Sequence, residues 1–236
     1  MSPSSPQPLP RGILFDLDGT LYPQAPLRRR MLAELCLVPI ARCAPREGLT
    51  TLRRLKRFRE VREGLRKLGQ AAESLEALQF SRPAELLGEP VAAVRATVTE
   101  WMFERPLRHL AGARRFGTRE LFDAARERGI EVGVFSDYPA PAKLAALGLD
   151  AGVSLTLCAT DDAINAFKPH PAGFQNACER WGFEPHEVLY VGDRAEVDHA
   201  GATAAGLESV LVGESTTGHP AHTTFAELQA RIEHDG

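Results

Sequence analysis

Gly12-Ile13-Leu14-Phe15-Asp16-Leu17-Asp18-Gly19-Thr20-Leu21 sets two carboxylates, two residues apart, at the end of an apolar run. Ile13, Leu14, Phe15 and Leu17 read as a strand buried on both faces of a parallel sheet, with Gly19 turning the chain directly afterwards. A buried carboxylate is costly unless it is paired or binds a metal. That cost puts Asp16 and Asp18 at the carboxyl end of the strand, where open α/β sheets bind ligands. On this stretch alone, a strand followed by an Asp-Gly turn is the plain alternative.

Beyond Leu21 the pattern turns helical as far as residue 111, with Pro39, Pro45, Pro83, Pro90 and Pro106 as expected helix boundaries. Between Leu52 and Leu68, the residues Leu55, Phe58, Val61, Leu65 and Leu68 share one side of a helix. Arg53, Lys56, Arg59, Arg66 and Lys67 fall largely on the other, which reads as a solvated basic face. From Gly117 the pattern alternates. Helices are expected at 118–128, 140–147, 171–181 and 200–205, and strands at 131–135, 155–158, 188–191 and 209–212. Alternation of this kind predicts an α/β fold: a doubly wound, Rossmann-like parallel sheet, into which residues 22–111 are inserted as an all-helical unit. The sheet domain then comprises residues 11–21 and 112–236, preceded by a Ser/Pro-rich flexible tail at 1–10.

Length and composition fit this plan. The 236 residues are 44% hydrophobic and 25% charged, ordinary for a globular chain with a sizeable core. No run reaches the ~18 apolar residues of a membrane span and no signal peptide is evident, so a cytoplasmic protein without membrane association is expected. Cys36, Cys43, Cys158 and Cys178 show neither CxxC pairing nor zinc-ligand spacing and read as buried free thiols. A net charge of −3 gives no case for nucleic-acid binding. The charge is uneven, however: residues 22–111 hold 17 Lys+Arg against 10 Asp+Glu, a local net of +7.

Three further strand ends carry polar residues. Val132-Gly133-Val134-Phe135 runs into Ser136-Asp137, offering a hydroxyl and backbone N–H groups suited to phosphate oxygens, or simply a helix cap. Phe167-Lys168-Pro169 fixes a compact positive charge beside a proline. Val188-Leu189-Tyr190-Val191-Gly192-Asp193, with Asp198 beyond it, repeats the opening layout, and such acids can share a hard cation.

In this order the chain resembles the haloacid dehalogenase superfamily: Asp16-Leu17-Asp18-Gly19-Thr20 matches its first motif, Ser136 the second, Lys168 the third, and Gly192-Asp193 with Asp198 the fourth. The resemblance covers residues 11–215. It implies that Asp16 is a nucleophile forming an aspartyl-phosphate. It implies Mg²⁺ held by Asp16, Asp193 and the backbone carbonyl of Asp18, with Asp198 outside the first shell. Lys168, Ser136 and the N–H of Asp137 would hold the phosphoryl oxygens, and Thr20 would orient the first loop. Asp18 would protonate the leaving oxygen and then activate water. Members that cleave carbon–halogen or carbon–phosphorus bonds generally lack that second acid, so its presence implies phosphoryl transfer.

The helical insertion matches the family's cap, and the interval between Ser136 and Lys168 is too short for a second one. The resemblance thus implies a Mg²⁺-dependent phosphatase acting on a small phosphorylated metabolite such as phosphoglycolate, a sugar phosphate or a nucleotide. A phosphomutase would share every catalytic residue. The basic helix offers a non-enzymatic alternative, a module for nucleic acid or an acidic partner. Arg28-Arg29-Arg30 in the insertion are candidates for attracting an anionic substrate. Trp101, Met102 and Phe103 read either as pocket lining or as core. His219 and His222 lack further ligands and read as surface residues, and Arg194 reads either as a substrate contact or as the partner of a nearby acid.

Overall fold

The computed structural model of the chain describes residues 9–41, 45–213 and 222–234. Residues 1–8, Cys43 and His219 lie outside them, as does the side chain of His222. Strands β1 (Gly12–Phe15), β2 (Glu131–Ser136), β3 (Leu155–Cys158), β4 (Val188–Gly192), β5 (Glu208–Val212) and β6 (His222–Thr223) form one sheet in the order β3-β2-β1-β4-β5-β6. Every adjacent pair is parallel.

Period-two alternation along these strands sorts the apolar residues onto two faces. Ile13, Phe15, Val132, Val134 and Val191 pack beneath α5 (Thr118–Glu127), α6 (Pro141–Leu147) and α9 (Phe225–His234). Leu14, Phe135, Leu157 and Tyr190 pack beneath α7 (Ala172–Trp181) and α8 (Ala200–Ala204). The Phe15 ring stands 5.1 Å from Phe122 and 6.0 Å from Phe225, tying β1 to α5 and α9. Burial of one such ring stabilises the fold by roughly 1.5–3 kcal/mol.

Helices α1 (Gln24–Ala41), α2 (Pro45–Arg66), α3 (Leu75–Leu87) and α4 (Val91–Val98) lie between β1 and β2. Leu55, Phe58, Phe80, Ala84, Val94, Val98 and Trp101 form a separate apolar cluster there, against which Met102 and Phe103 pack. Trp101 is therefore core. Leu65 and Leu75 join the sheet's own cluster instead, which seats the end of α2 and the start of α3 on the core.

Several local expectations need correction. Pro39 and Pro83 lie inside α1 and α3. For Pro83 the surrounding burial of Phe80, Ala84 and Leu87 outweighs the lost hydrogen bond, a cost of about 3 kcal/mol. Leu68 is 62% exposed because α2 has already ended at Arg66. Cys178 is buried, but Cys158 is half-buried and Cys36 is exposed. Helix α8 is preceded by a π-helical turn, Ala195–His199. Strand β6 and helix α9 were not expected, although Phe225, Leu228 and Ile232 carry a helical spacing. Among the described residues no helix is long and apolar enough to cross a membrane.

Candidate active site

The carboxyl ends of β1, β2 and β4 are neighbours, and β1 is where the chain order reverses across the sheet. That point leaves a crevice in doubly wound folds. Asp16 follows β1 directly, and its N–H donates to the Val191 carbonyl at 2.8 Å, continuing the strand ladder. Gly19 has φ +113°, and a Cβ there would stand 2.2 Å from Asp193 Oδ2. Only glycine lets this loop pass so close to Asp193. Thr20 Oγ1 lies 3.5 Å from Asp193 Oδ1, and Arg115 donates to the carbonyls of Gly19 and Thr20 at 2.6 and 2.8 Å.

Lys168, 2% exposed, donates to Asp16 Oδ1 at 2.5 Å, Asp198 Oδ1 at 2.7 Å and the Tyr190 hydroxyl at 2.9 Å. Burial works against its ammonium, yet Asp16 and Asp198 outweigh burial and hold its pKa well above the ordinary value. Asp198 Oδ1 also accepts from Tyr190 at 2.9 Å, and its Oδ2 accepts the N–H groups of Asp193 and Arg194 at 3.2 and 3.0 Å. Both Asp198 oxygens are thus engaged within the protein.

Oxygens of Asp16, Asp193 and Asp198 lie within 4.8 Å of one another. Burial is the main cause that pushes Asp16 well above the carboxylate range. Burial and then Asp198 bring Asp193 to about 6. A buried all-oxygen set of this kind fits a hard divalent cation, which would relieve the repulsion. The Asp18 carboxylate is not in this cluster.

Asp18 is directed away from it. Lys143 of α6 donates to both Asp18 oxygens, at 2.6 and 2.7 Å, and the Tyr22 hydroxyl donates to Oδ1. The Asp18 backbone carbonyl accepts from the Gln24 amide. Burial, followed by the Asp18 charge, drives the Tyr22 phenol far above its ordinary pKa, so it remains a donor.

On the third strand end, Ser136 is buried and its Oγ accepts the Tyr138 N–H at 3.2 Å. Asp137 does more than offer its backbone. Its Oδ2 accepts from Arg66 at 2.9 Å and its Oδ1 from the Lys168 N–H at 3.3 Å. Burial would raise this carboxyl, but Lys168, Arg66 and Arg62 together lower it below the usual range. Arg66 also donates to the Lys168 carbonyl, and Arg62 donates to the Asp137 carbonyl at 2.7 Å. The Arg62 guanidinium lies 4.1 Å from the ring centroids of both Tyr138 and Phe167. Arg66, expected on a solvated face, therefore belongs to the junction between α2 and the sheet. Arg194 pairs with Glu196 at 3.1 Å, and Arg28, Arg29 and Arg30 are exposed.

Asp16, Lys168, Asp193 and Asp198 are brought together, with Ser136 and Asp137 on the adjoining strand end. Sequence reading missed Lys143, Tyr190, Tyr22, Arg62 and Arg115. Only Tyr190 lay inside a quoted motif; the others are single polar residues in helical or loop segments, with no local signal.

The sequence profile of the haloacid dehalogenase-like hydrolases matches residues 10–206. The chain belongs to this family. Among haloacid dehalogenase-like hydrolases it is 30% identical over 223 residues to a phosphoglycolate phosphatase of Rhodospirillum rubrum, covering 90% of this chain and 83% of the relative. It is 29% identical to a ribulose-1,5-bisphosphate 5-phosphatase of Halopiger xanaduensis, covering 86% and 84%. The fold matches a 2-haloacid dehalogenase structure from Pseudomonas syringae pv. Tomato with a TM-score of 0.65, over 95% of this chain and 99% of that one, at 22% identity.

Proposed function

We propose that this hydrolase is a Mg²⁺-dependent phosphatase that cleaves a small phosphate monoester through an aspartyl-phosphate on Asp16. The observation that carries the reading is Asp16 itself: buried at the end of β1, hydrogen-bonded to Lys168, and clustered with Asp193 and Asp198. Asp16 offers a carboxylate oxygen to phosphorus, and Lys168, Ser136 and the Asp137 N–H hold the transferring oxygens. Asp18 protonates the leaving oxygen, then takes a proton from the water that cleaves the acyl phosphate.

The cation would be held by Asp16, Asp193 and the Asp18 carbonyl, with Asp198 orienting the loop through its backbone contacts. Bound there, Mg²⁺ supplies the positive charge that lets a carboxylate approach a phosphate dianion. The helices of residues 22–111 act as the cap, with α2 seated on the site through Arg62 and Arg66. The named relatives act on phosphoglycolate and a sugar bisphosphate, which supports substrates of that size and charge.

The test is hydrolysis of a panel of phosphate monoesters by purified protein with Mg²⁺, alongside Asp16→Asn. Release of inorganic phosphate that disappears in Asp16→Asn is the expected result. Turnover at the wild-type rate in Asp16→Asn contradicts the covalent mechanism, and isomerised sugar phosphate in place of free phosphate identifies a phosphomutase.

A further inference from the structure

Lys143 belongs to none of the four motif matches, yet it is buried to 6% exposure and both its contacts to Asp18 are short, 2.6 and 2.7 Å. A lysine is almost never buried unless it is paired, and this one is paired with the acid that the phosphatase reading needs at the leaving group. It reaches Asp18 from α6, the helix following β2, while Tyr22 reaches it from the first loop. Asp18 is therefore gripped from two separate elements.

The donors are unevenly shared. Oδ1 accepts from both Lys143 and Tyr22, whereas Oδ2 accepts from Lys143 alone among the described residues. A carboxylate oxygen has about two acceptor sites, so Oδ2 keeps one open.

We propose that Lys143 is the positioning residue that presents Asp18 Oδ2 to the ester oxygen, an inference that rests on the phosphatase reading above. In the first step the bond from phosphorus to the leaving oxygen breaks and its electron pair stays on that oxygen, which takes the proton from Asp18. Asp16 forms the new bond to phosphorus. Charge grows on Asp18 as its proton departs, and the Lys143 ammonium and Tyr22 hydroxyl already face that charge. Their interaction is stronger in the transition state than before it, the condition for lowering a barrier.

The test reads kcat/KM, which covers only the first phosphoryl transfer, with two leaving groups. p-Nitrophenyl phosphate expels a stable phenolate that needs no proton; a sugar phosphate expels an alkoxide, which needs one to leave as the alcohol. Lys143→Met is expected to lower kcat/KM about 100-fold on the sugar phosphate, at the low end of general-acid effects, and at most about threefold on p-nitrophenyl phosphate. Lys143→Arg is expected to restore most of the lost ratio. In Asp18→Asn the same split is already present, and adding Lys143→Met widens it no further. Should the Met variant not fold, Lys143→Gln keeps a polar group in the site and must show the same split.

Equal losses on both substrates overturn the proposal, as does a larger loss on p-nitrophenyl phosphate than on the sugar phosphate. Wild-type protein that hydrolyses no monoester overturns the phosphatase reading itself, whereas wild-type turnover without the split in Lys143→Met overturns the role of Lys143 alone.

Discussion

Arg66 at the end of α2 donates to Asp137 Oδ2 at 2.9 Å, so the last residue of the longest helix in the insertion is fastened to the residue that follows β2. Both side chains are largely buried, at 13% and 12% exposure. Removing Arg66 takes from the largely buried Asp137 the one ion-pair partner of its Oδ2 among the described residues. Arg66→Met is expected to destabilise the protein by about 3 kcal/mol, in the range for a broken buried pair, and to raise KM for small phosphate esters as α2 lifts. Urea unfolding and steady-state kinetics check this; unchanged KM would detach Arg66 from the site.

The same pair sets a pH dependence. Asp137 is held below its ordinary 3.8 because Lys168, Arg66 and Arg62 outweigh burial. A depressed folded-state pKa gives stability that is complete above the unfolded value and is lost as pH falls through the folded one. The stability gap between wild type and Asp137→Asn should therefore be full above about pH 4 and shrink below it. Urea midpoints at neutral pH and near pH 3 decide the point, and a constant gap would contradict it.

Gly19 combines φ +113° with Asp193 at 2.2 Å from where a Cβ would sit. Gly19→Ala is expected to push the first loop off Asp193 and cut kcat about 100-fold, the scale of an ångström-sized misplacement. Circular dichroism should remain native, because the strain falls on a loop. Near-normal activity in this variant would show that the Gly19–Asp193 approach is dispensable.

Tyr190 accepts from the Lys168 ammonium and donates to the Asp198 carboxylate, but carries no charge of its own. Tyr190→Phe is expected to cost about 2 kcal/mol of stability and less than tenfold in kcat/KM. Lys168→Met should cost at least 100-fold, since it removes the charge that the proposed mechanism sets against the phosphoryl oxygens. Comparable losses in the two variants would mean that Tyr190 does more than support the lysine.

The fold was legible because its signals are local. Four apolar strands in the alternating half of the chain, each preceded by a helix, specify a parallel sheet, and the acids at the ends of β1 and β4 mark its carboxyl edge. Lys168 and Ser136 could be located because each abuts a strand or a proline. Lys143, Arg62 and Arg115 could not. Each is one basic residue among the chain's 28 Lys+Arg, and its role arises only when folding sets it against Asp18, Asp137 or the Gly19 carbonyl. Arg66 shows the same limit, since helical periodicity assigns a face but cannot say that a carboxylate waits there.

Mg²⁺ should raise the melting temperature by relieving the repulsion among Asp16, Asp193 and Asp198. At a hundredfold excess over its Kd it would add about 2.7 kcal/mol. Asp193→Asn is expected to abolish that shift, and chelation to abolish hydrolysis. A melting curve indifferent to Mg²⁺ in the wild type would argue against a cation at these acids.

The most direct measurement is an acid quench during turnover of p-nitrophenyl phosphate, followed by peptide mass mapping. The account predicts one phosphoryl group on the peptide carrying Asp16, enriched in Asp18→Asn, where the water that releases it lacks its base, and absent in Asp16→Asn. Steady turnover with no phosphoryl group at Asp16 in either the wild type or Asp18→Asn, or with the label on another residue, would contradict it.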